Sequence, residues 1–213
     1  MRSRITVTIS RKLGCGGSYI GQVISSRLKL KYVDREILHL AAQSLGVEEE
    51  EVAARQERLT SFFEKMFSAF TYTPELRYSP PPLRSFSDKQ LFDKQTEIMK
   101  EIAKRENCVI VGWGSPHCLP HHAGTVTIFL HAPIQFRIRR VMEIYQVESK
   151  EQARQMIEES DPLRRKYFTQ MTGKDWACAD NYHLSIDTSS MPLPEIADLT
   201  IEFIKHKLAR KHA

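Results

Sequence analysis

The residues best suited to chemistry in this 213-residue chain stand in one short run, Ser10 to Ser18, reading SRKLGCGGS. Glycines at 14, 16 and 17 let backbone N–H groups approach an anion without side-chain obstruction. Ser18 stands where helical periodicity begins. A helix N-terminus there adds unpaired N–H groups and the positive end of a dipole. The chemistry on offer is phosphate binding. The familiar phosphate loop reads G-x-x-x-x-G-K-[ST], with its lysine on the phosphates and its hydroxyl on Mg2+. With Gly16 and Ser18 in register, Gly17 replaces that lysine and Arg11 replaces the first glycine. Lys12, with Arg11 beside it, is the candidate substitute for the missing charge, and Ser18 keeps the metal-side hydroxyl. A tight strand-to-helix turn that binds nothing would carry the same glycines.

Other candidates are scattered. Arg137 and Arg140 lie three apart, so a helix can turn both toward one site. Arg164–Lys166 is a further basic stretch. The bland reading of both is a solvated basic face. Asp34 follows a short apolar run and can cap a helix, contact a ligand, or do both. His117, Cys118, His121 and His122 carry zinc-ligand chemistry at short spacing, but no second ligand pair follows. They read as surface-loop residues.

The elements that must position these groups alternate. Strands are expected at 5–10, 31–33, 108–111, 125–130 and 183–186, from short β-branched or apolar runs. Helices are expected from Ser18, after Asp34, over 88–106, after Pro133, from Ser149 with Gln152 as a capping box, and over 194–208. A longer amphipathic helix, 48–70, carries Phe62, Phe63, Phe67 and Phe70. A proline-rich loop over 71–87 follows it. Strand–helix alternation predicts an α/β fold with a parallel sheet covered on both faces, binding ligands at the carboxyl ends of its strands.

The totals agree with a single soluble domain. Hydrophobic residues make up 41% and charged residues 27%, an ordinary balance. The net charge of +5 suits an anionic ligand. Basic residues do not interleave with aromatics in a nucleic-acid motif, so a nucleic-acid module is the weakest reading. No apolar run is long enough for a membrane span. The four cysteines lack disulfide or CxxC spacing, as expected of reduced thiols in a cytoplasmic protein.

Seven segments then form a succession: LGCGGSYIG at 13–21, KYVDREIL at 31–38, CVIVGWG at 108–114, IFLHAPIQFRIRRVMEIY at 128–145, DPLRRKYF at 161–168, GKDW at 173–176 and NYHLSIDTS at 181–189. In order and spacing they resemble the cytidylate kinase-like family, a divergent branch of the nucleoside monophosphate kinases. The resemblance covers nearly the whole chain. It implies a P-loop kinase fold with a five-stranded parallel core (1–46, 88–148 and 181–213), a helical NMP-binding insertion (47–87) and a lid (149–180). It implies transfer of the γ-phosphoryl of ATP, with Mg2+, to a monophosphate such as CMP or dCMP. The branch commonly carries Gly-Gly in the loop.

Residue by residue, Gly14, Gly16, Gly17 and Ser18 match the phosphate loop, and Asp34 and Arg35 the acceptor-side pair. Arg137 and Arg140 match the basic helix before the lid, and Asp161 and Arg164 the lid's D-x-x-R, with Arg137, Arg140 and Arg164 expected to be catalytic and Asp161 to be acceptor-binding. Relatives usually have arginine where Trp113 stands; tryptophan could stack on a base but supplies no charge. Ile157-Glu158 replaces the lid's usual Arg-Asp. A nucleotide-binding protein of the same fold with little or no kinase activity is the alternative.

Overall fold

The computed structural model describes residues 4–34, 37, 40, 41, 44, 87–112, 114–119 and 124–210. The expected helix 48–70, the loop that follows it up to Ser87, Arg35, Trp113, His121 and His122 lie outside these. Five strands, β1 (Thr6–Arg11), β2 (Lys31–Val33), β3 (Cys108–Val111), β4 (Thr125–His131) and β5 (Leu184–Asp187), form one sheet in the order β2-β3-β1-β4-β5. Every pairing is parallel, with Thr6 opposite both Cys108 and Thr125. The sheet agrees with the sequence expectation, with strand ends shifted by a residue. One shift matters: Arg11 is the last residue of β1, not the first of the loop.

The helices among the described residues are α1 (Gly17–Leu28), α2 (Asp88–Arg105), the short α3 (Ser115–Cys118), α4 (Ile134–Tyr145), α5 (Lys150–Thr172) and α6 (Leu193–Ala209). Ile37, Leu40, Ala41 and Ser44 are also helical, in line with the helix expected after Asp34. Local chemistry sets several ends. Ser87 and Gln90 form a full capping box at α2. At α5 only half of the expected box forms, Ser149 Oγ accepting from Gln152 N–H at 3.1 Å. Pro133 caps α4 from outside rather than sitting in its first turn.

Helix α5 runs on through Pro162 and takes in Arg164–Lys166, which periodicity alone does not join to a helix. Proline has no N–H to donate there, so that turn of the helix lacks one intrahelical hydrogen bond.

Strand alternation divides the core. Val7, Ile9, Val109, Val111, Val126 and Ile128 pack with Ile20 and Ile24 of α1 and Ile196, Ile201 and Ile204 of α6. The opposite face sends Cys108, Ile110 and Phe129 against Phe92, Met99, Phe168 and Trp176. Each such side chain, buried completely, contributes about 1.5–3 kcal/mol. A third cluster, Leu13, Ile138, Val141, Ala153, Met156 and Ile157, fastens α4 and α5 to the loop after β1. Among the described residues no helix is long and apolar enough to cross a membrane.

Candidate active site

The loop between β1 and α1 opens at the carboxyl end of the central strand, where a parallel sheet places its ligands. Gly14 and Gly16 hold φ of +82° and +75°, and Gly16 caps α1 in the left-handed region. These are conformations glycine takes without a steric penalty. A Cβ on Gly14 would stand 2.9 Å from the Arg137 carbonyl oxygen. The loop therefore sits against α4 with no room between.

A cleft of about 140 Å3 lies over this loop. Its lining includes the whole of Arg11–Tyr19 together with Arg140, Ile144, Tyr145 and Arg164. Four cations face it, Arg11, Lys12, Arg140 and Arg164, and no carboxylate is among the lining residues. Arg140 Nε is buried with no hydrogen-bond partner among the described residues. Arg164 Nη1 donates to the Arg11 carbonyl at 3.1 Å. Burial, and next the charge of Arg11, push the Arg164 guanidinium down to about 10. Burial raises the Tyr145 hydroxyl, although the charges of Arg164, Arg11 and Arg140 act to lower it. Crowded cations of this kind are what a polyanion relieves.

The structure sorts the residues expected from sequence. Gly14, Gly16, Gly17, Ser18, Lys12, Arg140 and Arg164 meet at the cleft. Arg137 and Asp161 do not line it. Arg137 Nη1 donates to Asp161 Oδ2 at 2.5 Å and to the Leu13 carbonyl at 3.3 Å. Asp161 Oδ1 accepts the Leu13 N–H at 3.1 Å. Their charges serve to seat the loop. Arg137 and Arg140 share a helix face by spacing, but the first points into the buried seam and the second toward the cleft.

Asp34, at the end of β2, accepts from the Tyr32 hydroxyl at 3.2 Å. Tyr32 also hydrogen-bonds Ser18, and burial with the Asp34 charge pushes its hydroxyl up to about 12. Ser18, Tyr32 and Asp34 thus link the loop to the expected acceptor side. Cys118 is buried in α3, not in a surface loop, and burial pushes its thiol up to about 11. His117 stacks edge-on to Tyr182. No group of three metal-ligating side chains occurs among the described residues. Tyr145 and the full part played by Arg11 are not evident from the sequence pattern. The strand alternation Val7, Ile9, Arg11 is the signal that places Arg11 beneath α1.

The set fits a nucleoside triphosphate: a glycine cradle, four cations and an orphaned guanidinium nitrogen. It fits Mg2+ only through a nucleotide, since Ser18 offers one hydroxyl.

The sequence model of the cytidylate kinase-like family matches residues 6–190. A search of curated proteins finds no match. Among solved structures, an uncharacterized protein from Eubacterium ventriosum ATCC 27560 is similar with a TM-score of 0.67 and 17% identity, over 95% of this chain and 99% of that one. A gluconokinase from Sinorhizobium meliloti 1021 gives 0.54 and 13%, over 100% and 98%. Shikimate kinase from Bacteroides thetaiotaomicron gives 0.50 and 14%, over 94% and 98%. At these identities the likeness is one of fold, and the fold is that of the P-loop kinases.

Proposed function

The chain belongs to the cytidylate kinase-like family, and on that premise we propose that it transfers the γ-phosphoryl group of ATP to a nucleoside monophosphate, CMP or dCMP. The observation that carries this reading is the cleft over Gly14–Ser18, faced by four cations and by no carboxylate among its lining residues. Bound ATP with Mg2+ supplies the phosphoryl group and part of the charge neutralisation.

The protein's part is placement and charge. The loop N–H groups and the start of α1 hold phosphate oxygens. Lys12 stands in for the missing loop lysine, and Ser18 offers its hydroxyl to the metal side. Arg140 and Arg164 line the same cleft, where they offset charge spreading over the transferred group. An oxygen of the acceptor phosphate forms the new bond to the γ-phosphorus as the bond to the ADP oxygen breaks. No redox change occurs.

Arg164 comes from the segment we assign as the lid, and its contact with Arg11 couples that segment to the loop. On the acceptor side we assign Asp34, Arg35 and Trp113. The four free cysteines suit a reducing cytoplasm.

Steady-state ATP turnover against a panel of nucleoside monophosphates tests the assignment. CMP or dCMP is expected to give the highest kcat/KM. ATP binding without turnover of any monophosphate would sink it and leave a nucleotide-binding protein of the same fold.

A further inference from the structure

We propose that Arg11 reaches from the end of β1 to hold the phosphate of the acceptor nucleotide, supplying the cation that position 113 lacks. This deepens the monophosphate kinase reading and rests on it.

The route of the side chain carries the inference. Arg11 ends the central strand on the pleat face of Val7 and Ile9. That face lies under α1: Ile9 Cδ1 is 3.6 Å from where a Cβ on Gly21 would stand. The Arg11 stem runs along Gly17, where a Cβ would lie 2.7 Å from Cγ, 3.1 Å from Cβ and 3.2 Å from Cδ. Its head lies over Gly112, where a Cβ would collide with Nη1 and come within 3.0 Å of Cζ. The side chain therefore starts at the carboxyl end of β1 and ends at the carboxyl end of β3, the neighbouring strand. Trp113 follows directly in sequence.

Two glycines open this route, and each has a consequence. A lysine at position 17, where the familiar phosphate loop has one, would displace the Arg11 stem. The missing loop lysine and the placement of Arg11 are thus one feature. At Gly112 the φ of +89° suits glycine and leaves room for the guanidinium.

No hydrogen bond or ion pair to another side chain engages that guanidinium among the described residues. A planar fork held by its stem suits bidentate contact with a phosphate, and little rotamer freedom remains to be lost on binding. The division of labour follows: Lys12, Arg140 and Arg164 stay with the donor, while Arg11 spans the line along which the phosphoryl group moves.

The test is equilibrium binding of CMP, cytidine and ATP, each alone, to the wild type, Arg11→Met and Arg11→Lys. Far-ultraviolet circular dichroism serves as the folding check. The wild type should prefer CMP over cytidine. Arg11→Met should lower that preference by about tenfold or more, while ATP binding, which keeps Lys12, Arg140 and Arg164, falls by a smaller factor than CMP binding. Arg11→Lys keeps the charge without the fork and should fall between the two. It also keeps the readout if the methionine variant does not fold. A preference unchanged in the variants overturns the proposal and leaves the kinase reading intact. So does a loss of ATP binding as large as that of CMP, which would return Arg11 to the donor phosphates. A wild type that neither prefers CMP to cytidine nor turns over any monophosphate overturns both.

Discussion

Arg137 and Asp161 close on Leu13 from both sides: the arginine donates to its carbonyl and to the carboxylate, and the carboxylate accepts its N–H. The two side chains are 8% and 15% exposed. The pair ties helices α4 and α5 to the loop after β1. Arg137→Met should therefore cost about 2–4 kcal/mol in urea unfolding, because it leaves a largely buried carboxylate without its cation. The double change Arg137→Met with Asp161→Leu should cost less than the sum of the singles. Additive losses would mean that the pair does not act as a unit.

Gly14 and Gly16 both hold positive φ, but their surroundings differ. A Cβ on Gly14 meets the Arg137 main chain, whereas one on Gly16 meets the end of the Leu193 side chain, 2.7 Å from Cδ1. Backbone cannot yield as a leucine methyl can. Gly14→Ala should be the more destabilising, by about 1–2 kcal/mol beyond the shared cost of left-handed backbone. Thermal unfolding of the two variants decides it, and equal losses would contradict the packing.

Removing donor-side charge should lower turnover while the fold persists. Arg164→Gln is expected to reduce kcat by about a thousandfold, the lower range for an arginine that stabilises phosphoryl transfer. Lys12→Ala should lose at least about tenfold, or roughly 1.4 kcal/mol of transition-state stabilisation. Unfolding free energy should move by no more than about 1 kcal/mol in Arg164→Gln, since a lost hydrogen bond is offset by relief of a buried charge beside Arg11. Unchanged kcat in the lysine variant would remove Lys12 as the substitute for the missing loop lysine.

Stability should fall in alkali. Burial pushes the thiols of Cys15, Cys108 and Cys118 from 9.0 up to about 12, 11 and 11. Above pH 9 the unfolded chain releases these protons and the native chain keeps them, so the unfolded state binds fewer and stability drops as pH rises. The stabilisation is whole below pH 9 and is lost up to about pH 11–12. The slope is at most about 1.4 kcal/mol per thiol per pH unit. Urea titrations at pH 8 and pH 10 measure it; a flat profile would place the thiols in contact with water.

Most of the sheet was legible because short β-branched and apolar runs bounded by polar residues mark buried parallel strands. Val7 and Ile9, or Val109 and Val111, announce their face by alternation alone. The tight connection between β1 and α1 was legible from its glycines, and Gly14 and Gly16 do take the positive φ that such a turn needs. What the sequence could not divide was labour among the arginines. Arg137 and Arg140 have the same spacing relation to any helix face, and only the packing of Leu13, Ile138 and Ile157 turns one of them inward. Arg11 was hidden by a boundary of one residue: as a loop residue its direction is open, and as the last strand residue it is fixed. Helix α5 continues past Pro162 while its apolar side packs against α4.

The clamp on Leu13 also has a meaning in time. The loop residue and the carboxylate that fixes it are 148 positions apart. At roughly 5–20 residues per second, a ribosome that has made Leu13 needs on the order of ten seconds to reach Asp161. Strand β1 likewise waits for β3 and β4 to flank it. The nascent chain therefore carries the glycine-loop sequence long before the contacts that seat it exist, and the cleft over that loop can form only after helix α5 has been made.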